Sequence, residues 1–177
     1  MEKLESLIKT YNDFPKKGIA FKDLLGIIQD SEIFRELILR MSLNHVIKNS
    51  EAIISIEARG FIFGSAISLQ ARKPMIVARK PGKLPGEIFQ ENYDLEYGSN
   101  SLSIEKEALK KFNSYAIVDD LLATGGTVDC VTRLINKSGK KISGLLTVVE
   151  LIELKGRSRF DFHVESVLSI LSLKHIS

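Results

Sequence analysis

The residues best equipped for chemistry are an adjacent pair of carboxylates, Asp119-Asp120, followed by the small-residue loop Ala123-Thr124-Gly125-Gly126-Thr127. Glycines tolerate positive φ and let a ligand approach the main chain, so consecutive N–H groups in such a loop can converge on one phosphate. The Thr124 and Thr127 hydroxyls add donors. Ionised carboxylates only accept hydrogen bonds, so beside a bound phosphate Asp119 and Asp120 suit a polyol or a magnesium-bearing group rather than a second phosphate. Together these groups describe a ligand with a sugar hydroxyl pair a few ångströms from a terminal phosphate, as in a ribose 5-phosphate. An ordinary strand-to-helix connection, with an aspartate as cap and glycines for turning, would use the same residue types. The agreement of so many positions over Ala116 to Thr127 with one ligand favours the anion site.

These groups need a strand before them and a helix behind. Tyr115 to Val118 is an apolar β-forming run, and Val128, Val131, Leu134 and Ile135 recur at helical spacing, which sets a helix N-terminus and its partial positive charge behind the loop. Upstream, Ala52 to Ile56 reads as a strand, Glu57-Ala58-Arg59-Gly60 opens a helical pattern through Gln70, and Met75 to Ala78 is a second short strand. Strand, helix, strand at this spacing is a βαβ unit and predicts a parallel sheet. Ligands of such sheets sit at the C-terminal strand ends, where Arg59, Arg79 and Asp119 all fall. Lys80 and Lys83, interrupted by Pro81 and Gly82, extend the cationic series into a loop able to close over a polyphosphate. Arg72 and Lys73 read as a solvated face.

In the rest of the chain, Lys3 to Thr10 predicts a short amphipathic helix and Asp13 to Asp23 an irregular loop. Ser31 to Lys48 predicts one long helix capped by Asp30 or Ser31. Gly86 to Asn92 reads as a mobile connection, followed by a hairpin of Tyr93–Gly98 and Ser101–Ile104 turning at Gly98 to Asn100. Ile142 to Val149 predicts a buried strand, Lys155 to Arg157 a short helix or turn, and Val164 to Leu173 holds apolar runs. His45 has no partner in sequence and receives no role. The lone Cys130 excludes an internal disulfide and a cysteine-based zinc cluster. A net charge of +3 makes no general case for nucleic acid, and 44% hydrophobic residues suit one soluble domain over residues 1–177. With no leader or apolar span in view, the cytoplasm is expected and a membrane is not. The P-loop, dinucleotide, zincin and nucleophile-elbow signatures are absent from the sequence.

The twelve-residue string closely resembles the donor-binding motif of the type I phosphoribosyltransferases. Phe14-Pro15 with Gly18 and Phe21-Lys22-Asp23, then Glu57 to Phe61, Arg79 to Gly86 and Leu95 to Gly98, in that order, resemble the adenine phosphoribosyltransferase family over about residues 10–160. The resemblance implies an α/β fold, Rossmann-like, with a parallel central sheet flanked by helices, a small hood over residues 1–30 and a flexible catalytic loop over 80–98. It implies purine salvage, in which adenine and phosphoribosyl pyrophosphate give AMP and pyrophosphate, with Mg2+, in a cytoplasmic homodimer that uses neither nucleic acid nor membrane. Carried onto this chain, it puts the 5-phosphate at Ala123, Thr124, Gly125, Gly126 and Thr127 and the ribose hydroxyls at Asp119 and Asp120. Pyrophosphate falls to Arg59, Arg79, Lys80 and Lys83, and adenine to Ala20, Phe21, Lys22 and Leu121. Glu96, Tyr97 and Arg79 become the catalytic set, with Glu96 at the purine imidazole proton; no residue is assigned directly to the metal. Lys22 stands where the family often has arginine, Lys110 to Ser114 replaces a Pro-Gly turn, and the tail after Arg159 matches weakly. A phosphoribosyltransferase for another base and a non-enzymatic donor sensor are the rival readings. Only about a dozen residues precede Phe14-Pro15, too few for the DNA-binding segment such a sensor carries.

Overall fold

The chain begins with a short helix, α1 (Glu2–Ser6), and an antiparallel ribbon of β1 (Lys9–Tyr11) and β2 (Phe21–Asp23). Part of the expected first helix is therefore strand. Lys9 to Tyr11 pair with Phe21 to Asp23, across a connection that Pro15 and Gly18 punctuate and the sequence suggested was all loop. This structure, a computed structural model, describes residues 2–95 and 98–170.

Helices α2 (Leu25–Gln29), α3 (Ser31–Ser42) and α4 (His45–Lys48) follow. The long helix expected to reach Lys48 is broken at Leu43 and Asn44, because the Asn44 side chain accepts from Val46 N–H at 2.8 Å and starts a new turn. Asp30 caps α3 by accepting from Ile33 N–H at 3.1 Å.

The central unit comprises β3 (Ala52–Ile56), α5 (Gly60–Ala71), β4 (Met75–Ala78), the hairpin β5 (Ile88–Leu95) and β6 (Gly98–Glu105), and α6 (Lys106–Lys110). Next come β7 (Ser114–Leu122), α7 (Gly126–Lys137), β8 (Lys141–Leu151), two single 3-10 turns (Ile152–Leu154 and Gly156–Arg159) and β9 (Val164–Ile170). Five strands pair in the order β4-β3-β7-β8-β9, all parallel. The apolar run after Val164 thus becomes an edge strand, and its last residues, Leu171 to Leu173, lie outside the described region. The hairpin is longer than its alternation predicts. Ile88 to Asn92 are strand rather than connection, and Gly98 and Asn100 pair with Leu95 and Tyr93 instead of turning.

Period-two alternation in the sheet feeds two cores. Ile53, Ala116, Val118, Leu146 and Val148 pack with α3 and α5 on one face, through Leu37, Met41, Phe63 and Ile67. Ile54, Ile56, Ile117 and Leu145 pack on the other face with Val128, Val131, Leu134 and Ile135 of α7 and with Leu102 and Ile104 of the hairpin. Burying both faces makes β3 apolar along nearly its whole length, and its five residues are all buried.

The strand order changes direction between β3 and β7, whose next neighbours in sequence lie on opposite sides. A crevice opens outside the carboxyl ends of the strands at such a point.

Candidate active site

Strand β3 delivers Glu57 and Arg59 to that crevice, β4 delivers Arg79, and β7 delivers Asp119 and Asp120. Asp119 and Asp120 are only 9% and 6% exposed, so two neighbouring carboxylates are held nearly out of water. Burial pushes the Asp119 carboxyl well above the ordinary range, and the adjacent Asp120 charge adds to the shift. Burial also raises Asp120, opposed by the Arg59 guanidinium, whose Nε lies 2.7 Å from Asp120 Oδ2. That contact is not aligned as a hydrogen bond, and Asp120 Oδ2 is a buried oxygen without a hydrogen-bond donor among the described residues. An acceptor in that condition costs stability until a donor arrives, which suits a ligand hydroxyl.

Close backbone approach makes this arrangement possible. Gly60, the first residue of α5, sits where a Cβ would fall 2.8 Å from Asp119 Oδ1. Past β7 the chain bends through Ala123 and Thr124 to Gly125 at φ +82°, and α7 starts with no side chain capping it. The first N–H groups of α7 therefore face the crevice as donors. Thr127 meets the Tyr93 phenol of the hairpin, and burial raises the Tyr93 pKa.

A second layer holds the loop. Gly156 lies so close that a Cβ there would stand 2.1 Å from Ala123 O. The turn carrying Gly156 is tied down by Arg157, whose Nε donates to Glu150 Oε1 at 3.0 Å, while Ser166 Oγ donates to Glu150 Oε2 at 3.0 Å. Those hydrogen bonds, led by Arg157's, outweigh burial and hold the Glu150 carboxyl below its usual range.

Two of the cations predicted for a polyphosphate, Arg79 and Lys83, gather on Glu57, which the sequence presented only as part of a motif. Lys80 N–H donates to Glu57 Oε2 at 2.8 Å, Arg79 Nε lies 3.5 Å from the same oxygen, and Lys83 Nζ meets Oε1. Burial works to raise the Glu57 carboxyl, but these partners together leave it lowered. A buried acid at a strand end beside an Arg-Gly pair was the only signal of this role.

On the opposite wall, Arg59 donates from a terminal nitrogen to Lys22 O at 3.0 Å and lies over the Phe21 ring at 4.9 Å. Phe14 meets Phe21 edge-on at 5.2 Å. Lys22 is buried and donates to Thr10 Oγ1 at 3.0 Å, which turns its side chain into the β1–β2 ribbon and leaves its main chain toward Arg59. Ala20 precedes β2 and Leu121 lies in β7, both half-buried. Glu96 and Tyr97 connect β5 to β6 in sequence and lie outside the described residues.

The hairpin is fastened to α7, the helix behind the Ala123–Thr127 loop. Glu91 pairs with Arg133 at 3.4 Å and with Lys137, and Arg133 also reaches Asn92 O and Asp129. Nothing in sequence spacing joins Glu91 to α7, because the link exists only once the hairpin folds over it.

Residues 27–176 match the family model described as the phosphoribosyl transferase domain. A Prochlorococcus marinus (strain MIT 9515) protein named adenine phosphoribosyltransferase is 68% identical over 94% of this chain and 98% of its own length. Among solved structures, adenine phosphoribosyltransferase from Thermoanaerobacter pseudethanolicus superposes with a TM-score of 0.88 at 37% identity, covering 96% of this chain and 99% of that one. The Saccharomyces cerevisiae enzyme, complexed with an imino-altritol bisphosphate and adenine, superposes with a TM-score of 0.87 at 34% identity over 94% and 97% of the two chains. With a parallel five-stranded sheet, a buried acid pair and an uncapped helix start at its switch point, the chain belongs to the adenine phosphoribosyltransferase family.

Proposed function

We propose how this chain's own residues carry out its family's reaction, the transfer of the phosphoribosyl group of phosphoribosyl pyrophosphate to adenine, which yields AMP and pyrophosphate in purine salvage. The donor's 5-phosphate rests on the N–H groups and hydroxyls of Ala123 to Thr127, and its ribose hydroxyls donate to Asp119 and Asp120. The unsatisfied Asp120 Oδ2 in a nearly dry acid pair is the observation that carries this reading. Once the diphosphate arrives, Arg79 and Lys83 turn to it from Glu57, Arg59 turns to it from Asp120, and Lys80, whose main-chain N–H is held by Glu57, adds its side chain. Glu57 keeps Arg79 and Lys83 gathered until then, so little reorganisation is left for the moment of reaction.

Displacement at the anomeric carbon builds positive charge on the ribose, which carboxylates beside it stabilise. The same acid pair fits a magnesium ion, because a divalent cation relieves two buried, mutually repelling carboxylates; when bound it neutralises charge on the departing diphosphate. Adenine lies between Phe21 and Leu121, beside Ala20 and the Lys22 main chain, and needs the ring face over which Arg59 lies. Base binding is thereby tied to the departure of Arg59. Glu96 takes the imidazole proton of adenine and Tyr97 acts beside it, in a segment 80–98 that is not all loop, since Ile88–Leu95 form β5. Assembly as a cytoplasmic homodimer completes this reading, and light scattering of the purified chain tests the dimer.

The deciding experiment is AMP formation from adenine and phosphoribosyl pyrophosphate with magnesium, run beside hypoxanthine and guanine and beside Asp120→Asn. Adenine-selective turnover that collapses in the variant is expected. Equal turnover with another base, or an unimpaired variant, overturns the assignment.

A further inference from the structure

Three side chains with no part in the crevice meet at the other end of the sheet. His45 opens α4, His163 precedes β9, and Glu165 lies in β9. Their candidate ligand atoms all lie within 4.8 Å of one another. The two imidazoles meet edge to face with centroids 4.4 Å apart, and His163 Nε2 is 2.8 Å from Glu165 Oε1.

The backbone beneath them is fixed. Asn44 caps the turn that begins at His45, and the next residue, Val46, is fully buried. Ser143 Oγ donates to Val46 O at 3.1 Å, and Leu145 N–H donates to His163 O at 2.9 Å. Between them Gly144, at φ +149°, sits where a Cβ would fall 2.7 Å from His163 O and 2.9 Å from a Val46 methyl. The start of β8 therefore clamps α4 and the entry to β9 side by side, and both imidazoles emerge exposed from anchored main chain.

We propose that His45, His163 and Glu165 form a surface site for a borderline transition cation such as Zn2+, with water in the fourth position. Two imidazoles and a carboxylate are a donor set that such ions favour, whereas Mg2+ prefers oxygen ligands throughout. Ligands about 2.05 Å from a tetrahedral ion stand about 3.3 Å apart. The His163–Glu165 pair at 2.8 Å opens by roughly half an ångström to admit the ion, and no other pair, at 4.8 Å or less, closes by more than about 1.5 Å. Rotation of exposed side chains covers both adjustments.

Gly144 and Val149, the neighbour of Leu121, are five residue steps apart along β8, so the site lies roughly 17 Å from the crevice. Its ion would pin α4 to β9 without touching substrate.

Untagged, metal-stripped full chain is titrated with Zn2+ and separately with Mg2+ by calorimetry, and its imidazole signals are followed by NMR. The chain has three histidines, His45, His163 and His175. The expected result is a Zn2+ event that shifts two imidazoles and raises the melting temperature, with no matching Mg2+ event. His45→Ala and His163→Ala should each weaken it more than about 100-fold, beyond the loss caused by a supporting residue. His175→Ala should leave it intact, and adenine turnover in the first two variants should stay at the wild-type level. Absence of the event, its persistence in folded His163→Ala, or its loss in His175→Ala overturns the proposal.

Discussion

Replacing Gly156 by alanine tests whether the turn behind the proposed phosphate loop, Ala123 to Thr127, sets the loop's position. The added methyl would stand 2.1 Å from Ala123 O and 3.1 Å from Gly125 N. An unstrained carbon–oxygen contact is about 3.3 Å, so one partner must retreat by about 1.2 Å. The Gly156 side is the stiffer one, because Arg157 ties it to Glu150 and to Val164 O and Ser166 supports Glu150 in turn. Ala123 to Gly125 therefore yields, and these are the N–H groups proposed to hold the 5-phosphate. A misplacement of about 1 Å in a positioning element costs about 100-fold in rate, or about 2.7 kcal/mol of transition-state stabilisation. Overpacking costs roughly 1–3 kcal/mol of stability, which a domain of this size survives. Steady-state kinetics with phosphoribosyl pyrophosphate varied should show kcat/KM down about 100-fold, while circular dichroism shows a folded chain. Gly139→Ala is the control. At φ +70° with nothing within 4 Å, it strains the backbone without crowding a neighbour and should lose stability but no turnover. A folded Gly156→Ala enzyme with donor kinetics within twofold of wild type would refute the reasoning.

Asp119→Asn should abolish turnover yet stabilise the ligand-free chain by about 0.5–2 kcal/mol near pH 8, as relief of functional strain does. The sign follows from a native carboxyl raised by burial and by Asp120: the penalty is absent below the unfolded value of about 3.9 and grows as pH rises through the native one. Melting curves from pH 4 to 8 should diverge upward, and parallel curves would count against it. Glu57 runs the other way, since its lowered carboxyl contributes stability above its unfolded value that is lost as pH falls through the native one. Glu57→Gln should raise KM for the donor about tenfold, about 1.4 kcal/mol, by scattering Arg79 and Lys83; an unchanged KM would remove its gathering role. Glu91→Gln should release the hairpin from Arg133 and Lys137, giving faster proteolysis within residues 86–98 and several-fold lower kcat. Equal cleavage rates in both proteins would mean that the latch does not hold the hairpin.

What was legible in the sequence divides along a physical line. Glu57-Ala58-Arg59-Gly60 and the string from Ala116 to Thr127 each carry their own strand, turn chemistry and helix start, and local periodicity put them at the ends of strands that the structure also has there. The parallel sheet followed from the βαβ spacing, whereas the switch point between β3 and β7 needs the strand order, which the sequence does not carry. Errors came where partners distant in sequence decide. Lys9 to Tyr11 look helical until Phe21 to Asp23 pair with them, and Ile88 to Asn92 look like a connection until β6 supplies their ladder.

The same division separates the groups proposed to touch ligand from those that hold them. Asp119, Arg59 and the glycine loop announce themselves because their chemistry needs particular residue types at short spacing. Glu150 with Arg157 and Glu91 with Arg133 span intervals fixed only by the fold, and as acids among 22 they carry no signature of their own; Glu57 lies in a recognisable motif, but its partners Arg79 and Lys83 come to it only through the fold. Each nevertheless meets a cation and so ties down a segment beside the crevice: the basic run after β4, the turn behind the proposed phosphate loop, and the hairpin over α7. Substitution of these supports should therefore leave the ligand-binding residues unchanged and yet move donor affinity and turnover, because in this crevice the cost of misplacing a loop by an ångström exceeds that of losing most single contacts.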